Sequence, residues 1–478
     1  KLLINFGKFR NFVNFNLKIF YYCQFFGSVN KFLIIKEVMM KLLFTLIFSF
    51  VSIGYVHASE LAAESGEDVF FRGWQYRTDI VQSNIDRYND EMGGNVDYAT
   101  VTGDYPAIME QNLMSGGDLD IFYANPSQAS RYFDGGWVKP ANELPNFDEI
   151  KADMYPAMLD AWTYKGKLLG LSYFVSTRGT MHVNLQKLEE IGMSESDLPK
   201  NWDELYDSIY KMKDAGVKYP YLPHWFSEWY GISWAYVWEV MNRGGLVADP
   251  DTHQPMLTAD GPGGDALRDW KRVWNDGLIP EEVLTYNESS YMEAFKSGEY
   301  VISPQQIYDL ASFNDPANSK IAGHVSLLPY KGQSWGVLDS AVYVMSNRDR
   351  SDALESDVEK MASWYGYKDQ NGDPFVGANW LNVSMLFSGY KSVMESPDAK
   401  STIQNALARP EDYETVLEVY KNTPYPKGVW SVTWAPIFNS WLKETMTEFL
   451  LEDKSVEDTV DAINNKINEL NDEYGIGG

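Results

Sequence analysis

The chain has 478 residues, with 40 Lys and Arg against 67 Asp and Glu, a net charge of −27. That balance argues against a nucleic-acid partner, because phosphate binders cluster Lys and Arg. The one cysteine, Cys23, leaves no partner for an internal disulfide.

The first 38 residues lack methionine and are crowded with Lys, Asn, Phe, Ile, Leu and Tyr, so they read as upstream sequence translated ahead of the true start at Met39. From Met39 come Lys41, an apolar run Leu42 to Val56, and Val56-His57-Ala58: charge, short greasy core and small residues, the parts of a cleaved secretory signal over 39–58. The core falls short of the roughly 20 apolar residues of a membrane span. Removing residues 1–58 takes away seven basic residues, one acid and Cys23, which leaves 33 against 66, net −33, and no thiol for a disulfide or metal. Ser59 stands where a lipoprotein would need Cys, so the expectation is an unanchored protein of a Gram-negative periplasm. About 420 mature residues exceed the ~250 to 300 at which one core stops growing, so at least two lobes are expected.

The mature chain opens with a regular alternation. "DVFFRGW" is a short strand stopped by Gly73, "TDIVQSNIDRYNDEMGG" a helix, "NVDYATV" a strand, "YPAIMEQNLMSGG" a helix closed by glycines, and "LDIFYANP" a third strand. This α/β rhythm predicts a mainly parallel sheet flanked by helices, with ligands beyond the strands' carboxyl ends. Trp74 and Tyr76 follow the first strand there, and Tyr123 and Asn125 end the third, with a core role the other reading for Tyr123. Further on, "PKNWDELYDSIYKMKDAG" predicts a helix capped by Asn201 and burying Trp202, Leu205, Ile209 and Met212. "KSVEDTVDAINNKINEL" predicts another on Val456, Val460, Ile463, Ile467 and Leu470. Trp234 and Trp238, four apart, predict a buried helix face.

Catalytic signatures are missing. There is no G-x-S-x-G elbow, no cysteine nucleophile after cleavage, and no H-E-x-x-H among His182, His224, His253 and His324. "GPGG" at Gly261 reads as a turn rather than a dinucleotide loop. "DQNGD" from Asp369 departs from a calcium loop at Pro374 and Trp380. No enzyme activity, metal or cofactor is expected, although two well-placed acids among 66 could serve a secreted glycosidase.

Residues Ala161–Gly216, "AWTYKGKLLGLSYFVSTRGTMHVNLQKLEEIGMSESDLPKNWDELYDSIYKMKDAG", resemble the carbohydrate-binding solute receptors of ABC importers, the family that includes the maltose-binding protein. Leu169, Ser172 and Asn201 replace the family's usual Tyr, Pro and Thr. "YMEAFKSGEYVISPQQIYDL", "GHVSLLPYKGQSWGVLDSAVYVMSN" and the closing "TPYPKGVWSVTW" region continue the match in order. The resemblance implies a two-lobe, type II-like periplasmic binding protein fold, with 59–172 plus 329–372 as one lobe and 173–328 plus 373–478 as the other. It implies a monomer that delivers a mono- or oligosaccharide, or a glycoside, to permease subunits by closing on it. A receptor of the same fold for a non-sugar solute is the other implied reading.

Sugars need flat rings for stacking and planar polar groups for paired hydrogen bonds. Besides Trp74, Tyr76, Tyr123 and Asn125, the resemblance points to Trp225 and then Trp229 in the aromatic run of the second lobe. It also points to Gln305 and Gln306, expected to open the helix after "VISP", to Arg178 beside the hinge, either as a ligand contact or as a brace between the lobes, to Trp335 and Asp339 on the returning segment, and to Trp434 before the closing helices.

Overall fold

A fourteen-residue strand, Leu171–Asn184, ties the two halves of the sheet together. The computed structural model describes residues 63–476 except 229, 230 and 330–333; the leader, the segment before it and Trp229 lie outside the described residues. In chain order the strands are β1 Val69–Gly73, β2 Val96–Thr100, β3 Ile121–Ala124, β4 Val138–Lys139, β5 Thr163–Tyr164, β6 Lys167–Leu168, β7 Leu171–Asn184, β8 Ile302–Gln306, β9 Val325–Leu327 and β10 Val337–Ser346. β5 and β6 form a small hairpin. The other eight form one sheet in the order β2-β1-β3-β10-β7-β8, with β4 on β10 and β9 on β7.

Among the described residues, parallel pairing is confined to β2-β1-β3 and to a bridge between Tyr221 and Ile302. β10 and β7 run antiparallel to their neighbours. The predicted helices follow from their stripes. Thr78–Met92 buries Ile80, Ile85, Tyr88 and Met92 and ends on Gly93 in the left-handed region. Trp202–Asp214 starts where the Asn201 side chain accepts the Glu204 amide at 2.9 Å, and Val456–Tyr474 buries Val460, Ile463, Ile467 and Leu470. "GPGG" differs from expectation: Gly261 precedes a helix, Pro262–Asn275, because proline fits a first helical turn.

The core of the first half is aromatic. Phe71 meets Tyr98, Tyr123, Tyr343 and Tyr365 at centroid distances of 5.0 to 6.1 Å. Phe122, the next residue along β3, faces Tyr132 of the helix Pro126–Asp134 on the opposite side, as the period of two requires. Asp120, wholly buried, fastens the ends of β1 and β10. It accepts the Phe70 amide at 2.9 Å, Arg348 Nε at 2.7 Å and Arg350 Nε at 2.7 Å. Burial works against its charge, but the guanidiniums and the amide override it and hold the carboxyl below its ordinary range.

β7 changes partners at a bulge. Arg178 pairs with Val337 of β10 on one side and Gln306 of β8 on the other, and the next residue, Gly179, is skipped in the β8 register. Gly179 has φ +87, which side-chain-bearing residues rarely adopt, and a Cβ on Gly336 would lie 2.0 Å from the Arg178 carbonyl oxygen. Only glycines admit so close a crossing.

Asp120→Ala is expected to cost about 1.5–3 kcal/mol in urea unfolding, because it removes a charged acceptor from Arg348 and from the buried Arg350, which is left with Glu355 as its carboxylate partner. Gly179→Ala is expected to cost about 1–3 kcal/mol for the left-handed backbone, read by the same measurement.

Candidate functional site

A cavity of about 590 Å³ opens where β7 and β10 cross, bounded by residues from both halves of the sheet. Trp74, Gln75 and Tyr76 reach it from the end of β1, and Asn125 from the end of β3. Tyr173, Phe174 and Arg178 come from β7, Gln306 and Tyr308 from β8 and the turn after it, and Asp339 to Ala341 from β10. Trp234 and Glu288 close the far side. Such a mixture of rings and planar polar groups, in a concave site of this size, is what a small polar solute requires.

Six predicted residues are brought together here: Trp74, Tyr76, Asn125, Arg178, Gln306 and Asp339. Asn125 also caps the helix Pro126–Asp134, its Oδ1 accepting the Gln128 amide at 2.9 Å and Ser127 Oγ at 2.7 Å, so its side-chain amide NH₂ is the part left to face the cavity. Tyr76 is 42% exposed and lies over Trp380 at 6.3 Å. Trp74 leans on Tyr123 at 4.8 Å and on Tyr105 at 5.5 Å.

Five others lie elsewhere, and each has a physical reason. Tyr123 is buried one layer behind Trp74 and stacks on Tyr173 at 4.6 Å. Trp225 packs on Trp270 at 4.7 Å, and Trp335 on Trp202 at 5.5 Å, both inside helical cores. Trp434 is fully buried, its Nε1 donating to Asn471 Oδ1 at 2.9 Å. Gln305 and Gln306 belong to strand β8 rather than a helix, so adjacent side chains point to opposite faces. Gln305 turns inward to Ser303 at 2.8 Å, and Gln306 reaches Asp339 at 3.0 Å.

Sequence reasoning missed Tyr173, Tyr308, Glu288 and the cavity face of Trp234. The helix Gly231–Asn242 is buried almost all round, so a four-residue spacing could not separate a core ring from a wall ring. Trp234 instead stacks on Trp430 at 4.0 Å. Those two rings line a smaller void of about 50 Å³ that shares Asn125, Asp339 and Ser340 with the main cavity. In the closing segment, then, Trp430 rather than Trp434 reaches the cleft.

Arg178 is the electrostatic centre. Its Nε donates to Asp339 Oδ2 at 3.2 Å, its Nη2 lies 3.2 Å from Glu288 Oε1, and its Nη1 lies 3.4 Å from His224 Nε2. Burial disfavours the guanidinium's charge, but Glu288 and Asp339 override it and raise its pKa. Burial, and then Arg178 itself, hold His224 well below the ordinary imidazole value, so this ring is neutral and accepts. Asp369, in the predicted pseudo-calcium loop, accepts from Arg87 at 2.6 Å and from the amides of Asn371 and Asp373. Among the described residues no group of three or more His, Cys, Asp or Glu side chains is placed to hold a metal, and no helix is long and apolar enough to cross a membrane.

Comparison with known proteins agrees with this architecture. A maltose-bound protein of T. maritima, MalE3, superposes with a TM-score of 0.67 at 16% identity, covering 84% of this chain and 99% of that one. The cyclic alpha-maltosyl-1,6-maltose binding protein of Arthrobacter globiformis gives 0.68 at 16% identity, covering 84% and 98%. The GacH receptor of Streptomyces glaucescens, solved unliganded and with acarbose, gives 0.66 at 15%, covering 85% and 99%. A sequence search of curated proteins finds no match. The fold is the two-lobe α/β fold of periplasmic binding proteins. Residues 85–357 match the family described as bacterial extracellular solute-binding protein, and the chain belongs to that family.

Proposed function

We propose that this protein is the receptor of an ABC importer, that it binds a carbohydrate in the cavity over β7 and β10, and that it presents the closed form to permease subunits. The observation that carries the reading is the composition of that cavity. Rings of Trp74, Tyr76, Tyr105 and Tyr173 offer faces to the apolar side of a sugar, while Asn125, Gln306, Asp339 and Glu288 offer planar polar groups to its hydroxyls. Losing one bonded hydroxyl would leave a buried partner unsatisfied, at about 1 to 3 kcal/mol, which suffices to choose among sugars. The structures of the same fold solved with maltose and with acarbose support the same reading.

The hinge is the crossing pair β7 and β10. We place the lobes at 59–172 with 329–372 and at 173–328 with 373–478. The segment 375–395 is reassigned to the first lobe, because Trp380 donates to Tyr343, the Arg87 guanidinium lies 3.9 Å from the Phe375 ring centroid, the Tyr155 amide donates to the Gly389 carbonyl at 3.1 Å and the Ser392 amide donates to Asp153 at 2.9 Å. The protein works as a monomer, exported by the leader at 39–58 into the periplasm of a Gram-negative cell and left without a lipid anchor. It binds and releases its solute unchanged.

Calorimetry against mono- and oligosaccharides tests this. Trp74→Ala is expected to weaken binding of the best sugar at least tenfold, about 1.4 kcal/mol, in a protein that still unfolds cooperatively, though at a lower melting temperature because the ring's contacts with Tyr123 and Tyr105 are lost. Trp434→Ala is expected to do the reverse, costing about 3–5 kcal/mol of stability and leaving the affinity of the folded protein intact. Wild-type affinity in Trp74→Ala, or turnover of the sugar, would overturn the proposal.

A further inference from the structure

The charged groups that line the cavity do not balance. Among the described residues they are Arg178, Glu288 and Asp339, one cation against two carboxylates. The guanidinium is committed within the protein, since each of its three nitrogens faces a partner: Asp339, Glu288 and His224. With three of its five N–H groups so engaged and its side chain 11% exposed, the fork presents no wholly free nitrogen to a solute's carboxylate or phosphate.

The carboxylates keep spare capacity. Asp339 accepts both Arg178 and Gln306 on Oδ2, and Glu288 meets Arg178 through Oε1. Oδ1 of the first and Oε2 of the second therefore accept nothing among the described residues. Their side chains are 17% and 27% exposed, against 11% for Arg178, so the acids, more than the arginine, face the cavity. The surroundings add to the imbalance. The Glu288 amide donates to the Glu228 carboxylate at 3.0 Å.

A carboxylate in excess, in a cleft partly withdrawn from water, repels an anion and is stabilised by a cation. A hydroxyl can fill the free oxygens but leaves the charge uncompensated. An ammonium does both, and the ring faces of Trp74, Tyr76 and Tyr173 attract it further. We infer that the solute is a carbohydrate carrying a protonated amino group, its ammonium set against the free oxygens of Glu288 and Asp339. This rests on the sugar-receptor reading above and narrows it to amino sugars.

The test is calorimetry of the wild-type protein with matched sets of one to three rings in the gluco, galacto and manno series. Each set contains the amino sugar, its N-acetyl counterpart, the parent sugar and the uronate. The expected result is at least one amino sugar bound ten or more times tighter than its N-acetyl and parent forms, with no uronate bound. Glu288→Gln and Asp339→Asn should each shrink that preference to threefold or less. A parent or N-acetyl sugar bound as tightly as the amine, or any bound uronate, overturns the inference while the receptor reading stands. Silence from every saccharide, charged or neutral, overturns the receptor reading and the inference with it.

Discussion

Arg178 occupies the point where β7 leaves β10 for β8, and the arrangement of the cleft depends on that change of partners. The residue is paired through its backbone to both neighbouring strands, Val337 on one side and Gln306 on the other, while its side chain is pulled between Asp339 on β10 and Glu288 beyond the cleft. The backbone thus ties β7 to β10 and β8, and the side chain ties it to β10 again and to the helix that begins at Glu288. Ordered groups cost entropy to hold, and a doubly anchored arginine lets one residue fix Asp339, Gln306 and Glu288 at once. The glycines at 179 and 336 are the condition for this, since a side chain at either place would collide with the crossing.

The architecture was legible because local signals agreed with one another. The strand-helix alternation from Asp68 to Pro126, the Asn201 cap and the closing stripe to Leu470 each depend on neighbours in sequence, and the structure has them where expected. The site was half legible, and the division is instructive. Trp74, Tyr76 and Asn125 follow strand ends, a position that geometry alone turns toward a cleft. Trp225, Trp335 and Trp434 qualify by ring type and family position, yet an indole is as well suited to a helical core, and there each has ring partners or a buried acceptor. Type without direction does not place a residue.

Direction is what the register supplies. Gln305 and Gln306 are indistinguishable in composition, and only the strand's period of two decides that one faces Ser303 and the other Asp339. Tyr173 sits where β7 skips a residue against β10, and a bulge leaves no mark in hydrophobic patterning. Glu288 and Tyr308 lie in segments far apart in sequence from the hinge strands, so their meeting with Arg178 is a property of the fold alone.

The central claim is mechanical: two lobes joined by β7 and β10 shut on a solute held over Arg178. Small-angle X-ray scattering with and without a saccharide already shown by calorimetry to bind tests it most directly. The account predicts a smaller radius of gyration when the sugar is present, with a profile that returns to its starting form on dialysis. Superimposable profiles at saturating sugar would contradict it.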